Sequence, residues 1–85
     1  MTDTDILVIR KMLGVLMGIG SQGLETAALK EQAEIAAGTP LTTAEKDLAA
    51  RLLEERRWIA SYRQPLTGRV RWYVTEAGKI AYAGL

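Results

Sequence analysis

Apolar residues recur at helical spacing through three stretches of the chain and then at every second position in a fourth. Ile6, Ile9, Leu13 and Leu16 are three or four residues apart and predict one buried stripe on a first helix. Thr2, Asp3, Thr4 and Asp5 are all suited to capping it, and the start is expected near Thr4 or Asp5. Gly14 and Gly18 weaken this helix by roughly 1 kcal/mol each relative to alanine. Gly18, Gly20 and Gly23, with Ser21 among them, mark its exit turn. Gly23 to Glu25 reads as a very short extended piece. Thr26 is the expected cap of a second helix reaching about Ala37. That helix is rich in alanine, with Leu24, Leu29 and Ile35 as its larger contacts. Gly38 is placed to terminate it, and Pro40 forbids its continuation.

Thr42-Thr43-Ala44-Glu45 has the form of a capping box, in which Thr42 caps and Glu45 reaches back to its amide. A third helix then runs to about Arg56, with Ala44, Leu48, Ala49, Leu52 and Leu53 facing inward. Its outward face carries Thr43, Lys46, Asp47, Ala50, Arg51, Glu54 and Arg57. Past Arg57 the period changes from helical to alternating. Trp58 to Arg63 is β-prone, Gln64 to Gly68 contains proline and glycine, and Arg69 to Val74 alternates. Together they predict a hairpin with Val70, Trp72 and Val74 on one face and Arg69, Arg71 and Tyr73 on the other. Thr75 should cap a short last helix with Ile80 on its inner side. Trp58 and Trp72 are expected to lock the hairpin onto the helices, and Tyr62 to pair across it.

Composition narrows the chemistry. Eighty-five residues suit one domain spanning 1–85 with a small core. Cysteine and histidine are both absent, which removes thiolate chemistry and the usual base at neutral pH. No carboxylate pair stands beside a nucleophile, and the Gly18–Gly23 segment lacks the lysine of a phosphate-binding loop. An enzyme is therefore not expected, nor any cofactor or metal site. The apolar run from Ile6 to Ile19 is too short to span a bilayer and is interrupted by Arg10 and Lys11. It has no signal-peptide signature, so a cytoplasmic location with no membrane partner is expected.

The net charge of +1 hides a strong asymmetry. Residues 1–55 hold five cations against nine acids, whereas residues 56–73 hold Arg56, Arg57, Arg63, Arg69 and Arg71 with no acid. Arginine binds phosphate through a planar fork, so this window is the best functional signal in the chain. The opposing reading is a solvated hairpin guarded by charge, or arginines paired with Glu54 and Glu55.

The order helix, helix, helix, strand, turn, strand resembles the winged helix-turn-helix superfamily. The run Leu52 to Ile59 is similar to the end of a recognition helix turning into a wing strand, though Arg57 stands where many such regulators have glycine. Pro65 to Arg69 resembles a wing tip. Tyr73-Val74-Thr75-Glu76-Ala77-Gly78-Lys79 resembles the junction after the wing in MarR-like and PadR-like transcription regulators. Small winged-helix proteins of temperate phages share the same bare layout. The resemblance implies an α+β fold of three helices, a two-stranded wing and a short C-terminal helix. It also implies a double-stranded DNA-binding module acting as a transcription regulator or phage accessory factor. Carried onto this chain, Thr43, Lys46, Asp47, Ala50 and Arg51 would face bases or nearby phosphates, and Arg63, Arg69 and Arg71 would be wing contacts. Thr42 in the N-terminal turn of the third helix, Arg57 on its outer face and Tyr73 on the face of Arg69 and Arg71 complete the candidate DNA-binding set. Winged-helix regulators often dimerise on paired half-sites. The first helix and the segment around Ile80, Tyr82 and Leu85 are the candidate surfaces for a homodimer. The alternative is a protein-interaction module on the same scaffold, with a larger protein partner. The acidic first 55 residues and exposed Leu66 and Met17 suit that reading.

Overall fold

A computed structural model describes residues 2–85 as an α+β fold of four helices and one three-stranded antiparallel sheet. Helix α1 (Asp3–Ile19) starts slightly before the expected position because Thr2 and Asp5 form a reciprocal capping box. It is the centre of the fold and touches α2 (Thr26–Ala37), α3 (Thr43–Glu55), strand β3 (Val70–Val74) and α4 (Glu76–Gly84). Contact on so many sides widens its buried face to Val8, Ile9, Met12, Leu13 and Leu16. Ile6, expected in the stripe, lies at the end of α1 and is 42% exposed.

Helix α2 departs from expectation at both ends of its apolar face. Glu25 occupies the cap position without a side-chain bond, and Thr26 lies inside the helix. The Thr26 hydroxyl instead accepts the indole N–H of Trp72 at 2.8 Å. Leu29 and Ala33, four residues apart, form the buried line. Ile35 is two residues beyond Ala33, about 200° round the helix, and is 65% exposed. Gly38 ends α2 in the left-handed region, as expected. The Thr42–Glu45 capping box is formed at α3, whose Ala49 and Leu53 are buried. Ala44, expected inward, is exposed one turn before the packed part of the helix.

The exit from α3 is a Schellman turn. The Trp58 amide donates to the Leu53 carbonyl and the Arg57 amide to that of Glu54. Such a turn needs a left-handed residue, and Arg57 supplies it with φ of 60°. An arginine therefore holds a conformation that glycine adopts at lower cost.

The hairpin consists of β2 (Ile59–Arg63) and β3, but it is not a free two-stranded ribbon. The two residues of β1 (Leu24–Glu25) add to the other side of β3, giving the order β1-β3-β2. Leu24 is opposite Trp72, and Glu25 is opposite Arg71. This close approach requires Gly23: an added Cβ would lie 2.2 Å from the Trp72 carbonyl oxygen, and φ there is +70°. On the far side, Thr75 caps α4 by accepting from the Gly78 amide. Gly78 has the same role as Gly23, since a Cβ there would stand 2.1 Å from the Trp58 oxygen. Ile80 points away from this contact and is 74% exposed, contrary to its expected inner position. Tyr82 is the side chain that faces α1, lying over Gly14.

Two opposite glycine effects follow. Gly23→Ala should destabilise the fold by roughly 2–4 kcal/mol, combining backbone strain with overpacking. Arg57→Gly should stabilise it by about 0.5–1 kcal/mol through relief at the helix exit. Urea unfolding of the two variants against the parent measures both.

Candidate nucleic-acid interface

The expected contact residues come from α3 and the hairpin, and the sheet register decides which of them share a face. Ser61 is opposite Trp72 and Arg63 is opposite Val70. Directly opposed residues share a face, and side chains alternate along a strand. Arg63, Val70 and Trp72 therefore lie on the same side. Trp72 is bonded to Thr26 and lines a groove with Lys30 of α2 and Asp47, Ala50, Arg51 and Glu54 of α3. Arg63 thus projects from the helix-facing side of the hairpin. Arg71 is opposite Tyr62 and lies on the other side, as does Tyr73 opposite Ala60.

Arg71 is committed to the fold. Its Nε donates to the Gln22 carbonyl at 3.0 Å and its Nη2 to that of Gly23 at 2.9 Å. Tyr62 reaches across the sheet, and its hydroxyl donates to the same Gln22 oxygen at 2.9 Å. Glu25 approaches Arg71 at 3.9 Å and Arg69 at 3.3 Å. Arg71 is only 25% exposed, whereas Arg69 is 67% exposed and makes just this pairing beyond its backbone. An ion pair so open to water holds a side chain weakly. Tyr73 is half-buried, with its ring 6.2 Å from that of Tyr62. It lines a cleft with Met17, Thr75 and Lys79 on the side away from α3.

Around α3 the charges are partly neutralised. Lys30 pairs with Asp47, and Lys46 lies 3.8 Å from Glu34. Arg51 is exposed and has no carboxylate partner among the described residues, nor have Arg57 and Arg63. One Arg63 nitrogen donates to the Gly68 carbonyl at 2.6 Å, closing the hairpin loop and leaving the other donors of the fork available. Thr42 and Thr43 are exposed at the start of α3, although the Thr42 hydroxyl is used on the Glu45 amide. Ala50 is half-buried in the groove wall. Arg57 is exposed at the opposite end of α3, away from Thr42 and Thr43.

The expected residues therefore do not share one surface. Thr42, Thr43, Lys46, Ala50, Arg51 and Arg63 are on the helix-facing side, Arg57 is at the far end of α3, and Arg69, paired with Glu25, is behind the sheet with Arg71 and Tyr73. Sequence reasoning missed Lys30, which partners Asp47, and Arg56, whose guanidinium lies 5.2 Å above the Trp58 ring. Only the adjacency of Arg56 and Trp58 hinted at the second contact. No described helix is long and apolar enough to cross a membrane. A scan of protein-family models finds no match to the chain, and searches of curated proteins and of solved structures find none either.

The two neighbouring hairpin arginines should separate by stability. Arg71→Ala should cost roughly 1.5–3 kcal/mol, since it strips charged donors from two carbonyls. Arg69→Ala should stay within about 0.5 kcal/mol of the parent, as expected of an exposed pair. Thermal melting followed by circular dichroism distinguishes them.

Proposed function

We propose that the chain is a winged-helix module that binds double-stranded DNA with α3 toward the major groove and the hairpin beside it. The observation that carries this reading is the placement of Arg51 and Arg63 on the helix-facing side, neither paired with a carboxylate among the described residues. The order α1-β1-α2-α3-β2-β3, with β1 paired to β3, supports the winged-helix assignment. Arg69, held near the hairpin tip only by an exposed ion pair to Glu25 on the Arg71 side, supplies a third guanidinium when it leaves that pair. The first turn of α3 offers its amides and the Thr43 hydroxyl to a phosphate.

In this reading Arg71 has a different part from the one the resemblance implies. It sets the position of the hairpin against the α1 exit and leaves phosphate contact to Arg51, Arg63 and Arg69. Asp47 is held by Lys30, which reduces its repulsion of the DNA backbone. Glu54 has no such partner among the described residues and limits contact to α3 up to Arg51. The expected outcome is modest affinity dominated by phosphate contacts, acting in transcription regulation or as an accessory to a phage-like system. Ile80 and Leu85, both exposed, are the residues available to a homodimer through α4.

A protein-interaction role is the second reading, favoured by one observation. Leu66 at the hairpin tip is 100% exposed, where a DNA-contacting wing would gain more from a polar residue.

A salt titration of duplex affinity tests the first reading. Three phosphate contacts predict a log–log slope of about −2.7. Arg51→Ala with Arg63→Ala should weaken binding to any duplex sequence and bring the slope about 2 units closer to zero. A parent slope near zero would overturn the DNA reading and leave the protein-interaction role.

A further inference from the structure

The sheet order leaves one strand half paired. β2 bonds to β3 on one side, and among the described residues no strand occupies the other. The ends of the ladder fix its hydrogen-bond phase: the Thr75 amide donates to the Trp58 carbonyl and the Gln64 amide to the Arg69 carbonyl. In an antiparallel pair the bonded positions alternate. Ala60 and Tyr62 therefore exchange bonds with Tyr73 and Arg71, while the amides and carbonyls of Ile59, Ser61 and Arg63 point outward. Ile59 is buried, but Ser61 and Arg63 are exposed. Their backbone groups form a short unpaired edge.

Strand edges are normally blunted by proline, a bulge or a covering element. Between Ser61 and Arg63 there is no proline, and the ladder with β3 runs in unbroken register. Only charge protects this edge, and all of it is positive. Arg56, Arg57 and Arg63 flank it, no acid occurs from Arg56 through Val74, and none of the three arginines has a carboxylate partner among the described residues.

We propose that the outer edge of β2 takes up an extended acidic peptide strand from a protein partner. The main chain of the incoming strand bonds the Ser61 and Arg63 groups, and its carboxylates meet Arg57 at one end and Arg63 at the other. The charge pattern argues against a second copy of this chain as the occupant. Two β2 edges paired antiparallel about Ser61 would set Arg63 of each copy opposite Ile59 of the other and line Arg56, Arg57 and Arg63 of both copies along one seam with no acid from Arg56 through Val74 to offset them. The proposal shares Arg63 with the surface described for DNA, but its main-chain readout at Ser61 lies outside that surface and does not depend on DNA binding.

The test is a titration of the full isotope-labelled chain with a short synthetic peptide of alternating glutamate and valine, followed by amide resonances. A lysine–valine peptide is the control. The Ser61 and Arg63 amides should shift and gain protection from exchange with the glutamate peptide only. Ser61→Pro removes an outward amide without touching the bonds to β3, and should weaken the peptide about tenfold while the melting temperature holds. Arg63→Glu provides a second arm that does not rely on proline being tolerated, and should transfer the preference to the lysine peptide. Equal response to both peptides, shifts confined to other residues, or a dimer of the free chain paired through β2 would overturn the proposal. So would unchanged glutamate-peptide affinity in Arg63→Glu.

Discussion

The fold depends on how closely β1 can approach β3. The chain leaves α1 through a glycine-rich turn and must pass the Trp72 carbonyl with no room for a side-chain carbon at Gly23. Once there, the buried Gly23 accepts from Arg71 at its carbonyl, and the Gln22 carbonyl accepts from both Arg71 and Tyr62. Buried or half-buried carbonyls need donors, and a charged planar donor can serve two at once. The clasp ties the end of α1 to the middle of the hairpin. The Trp72 indole bond to Thr26 fixes the opposite face of the same strand to the start of α2. β3 is thus held from both sides within two consecutive residues, which sets where the hairpin stands relative to α3.

That arrangement sorts a cluster of like charges into separate roles. Arg71 supports the sheet from behind, and Arg56 lies on the Trp58 ring. Arg57 supplies a strained backbone angle at the α3 exit. Arg51 and Arg63 are left on the helix-facing side with most of their donors unused. An excess of arginine in one window is therefore a poor measure of the charge offered to a partner. The relevant quantity is how many guanidiniums remain after the backbone has claimed its share.

Much of the architecture was legible in the sequence because its signals are local. The Thr42–Glu45 capping box, Gly38 beyond α2, Thr75 before α4 and the alternation from Arg69 to Val74 all act within a few residues, and all appear where expected. What failed depended on distant partners. Ile35 and Ile80 are apolar at helical spacing, yet both are exposed. Thr26 looked like a cap because nothing nearby revealed that Trp72 would claim its hydroxyl. β1 is two residues long, too short for any period to show that it completes a three-stranded sheet. For the candidate site, alternation correctly grouped Arg71 with Tyr73 on one face. It could not disclose that this face holds the α1 exit, nor that Arg63 belongs with Arg51.

The central claim is that Arg71 is bound to the backbone while Arg51 and Arg63 are free to engage a partner. The side-chain Nε–H resonances of these three residues test it in a single sample, before and after addition of duplex DNA. The account predicts a protected Arg71 signal that stays in place, with rapidly exchanging Arg51 and Arg63 signals that move on addition of duplex. An Arg71 signal that exchanges as fast as the others, or that alone responds to DNA, would contradict it.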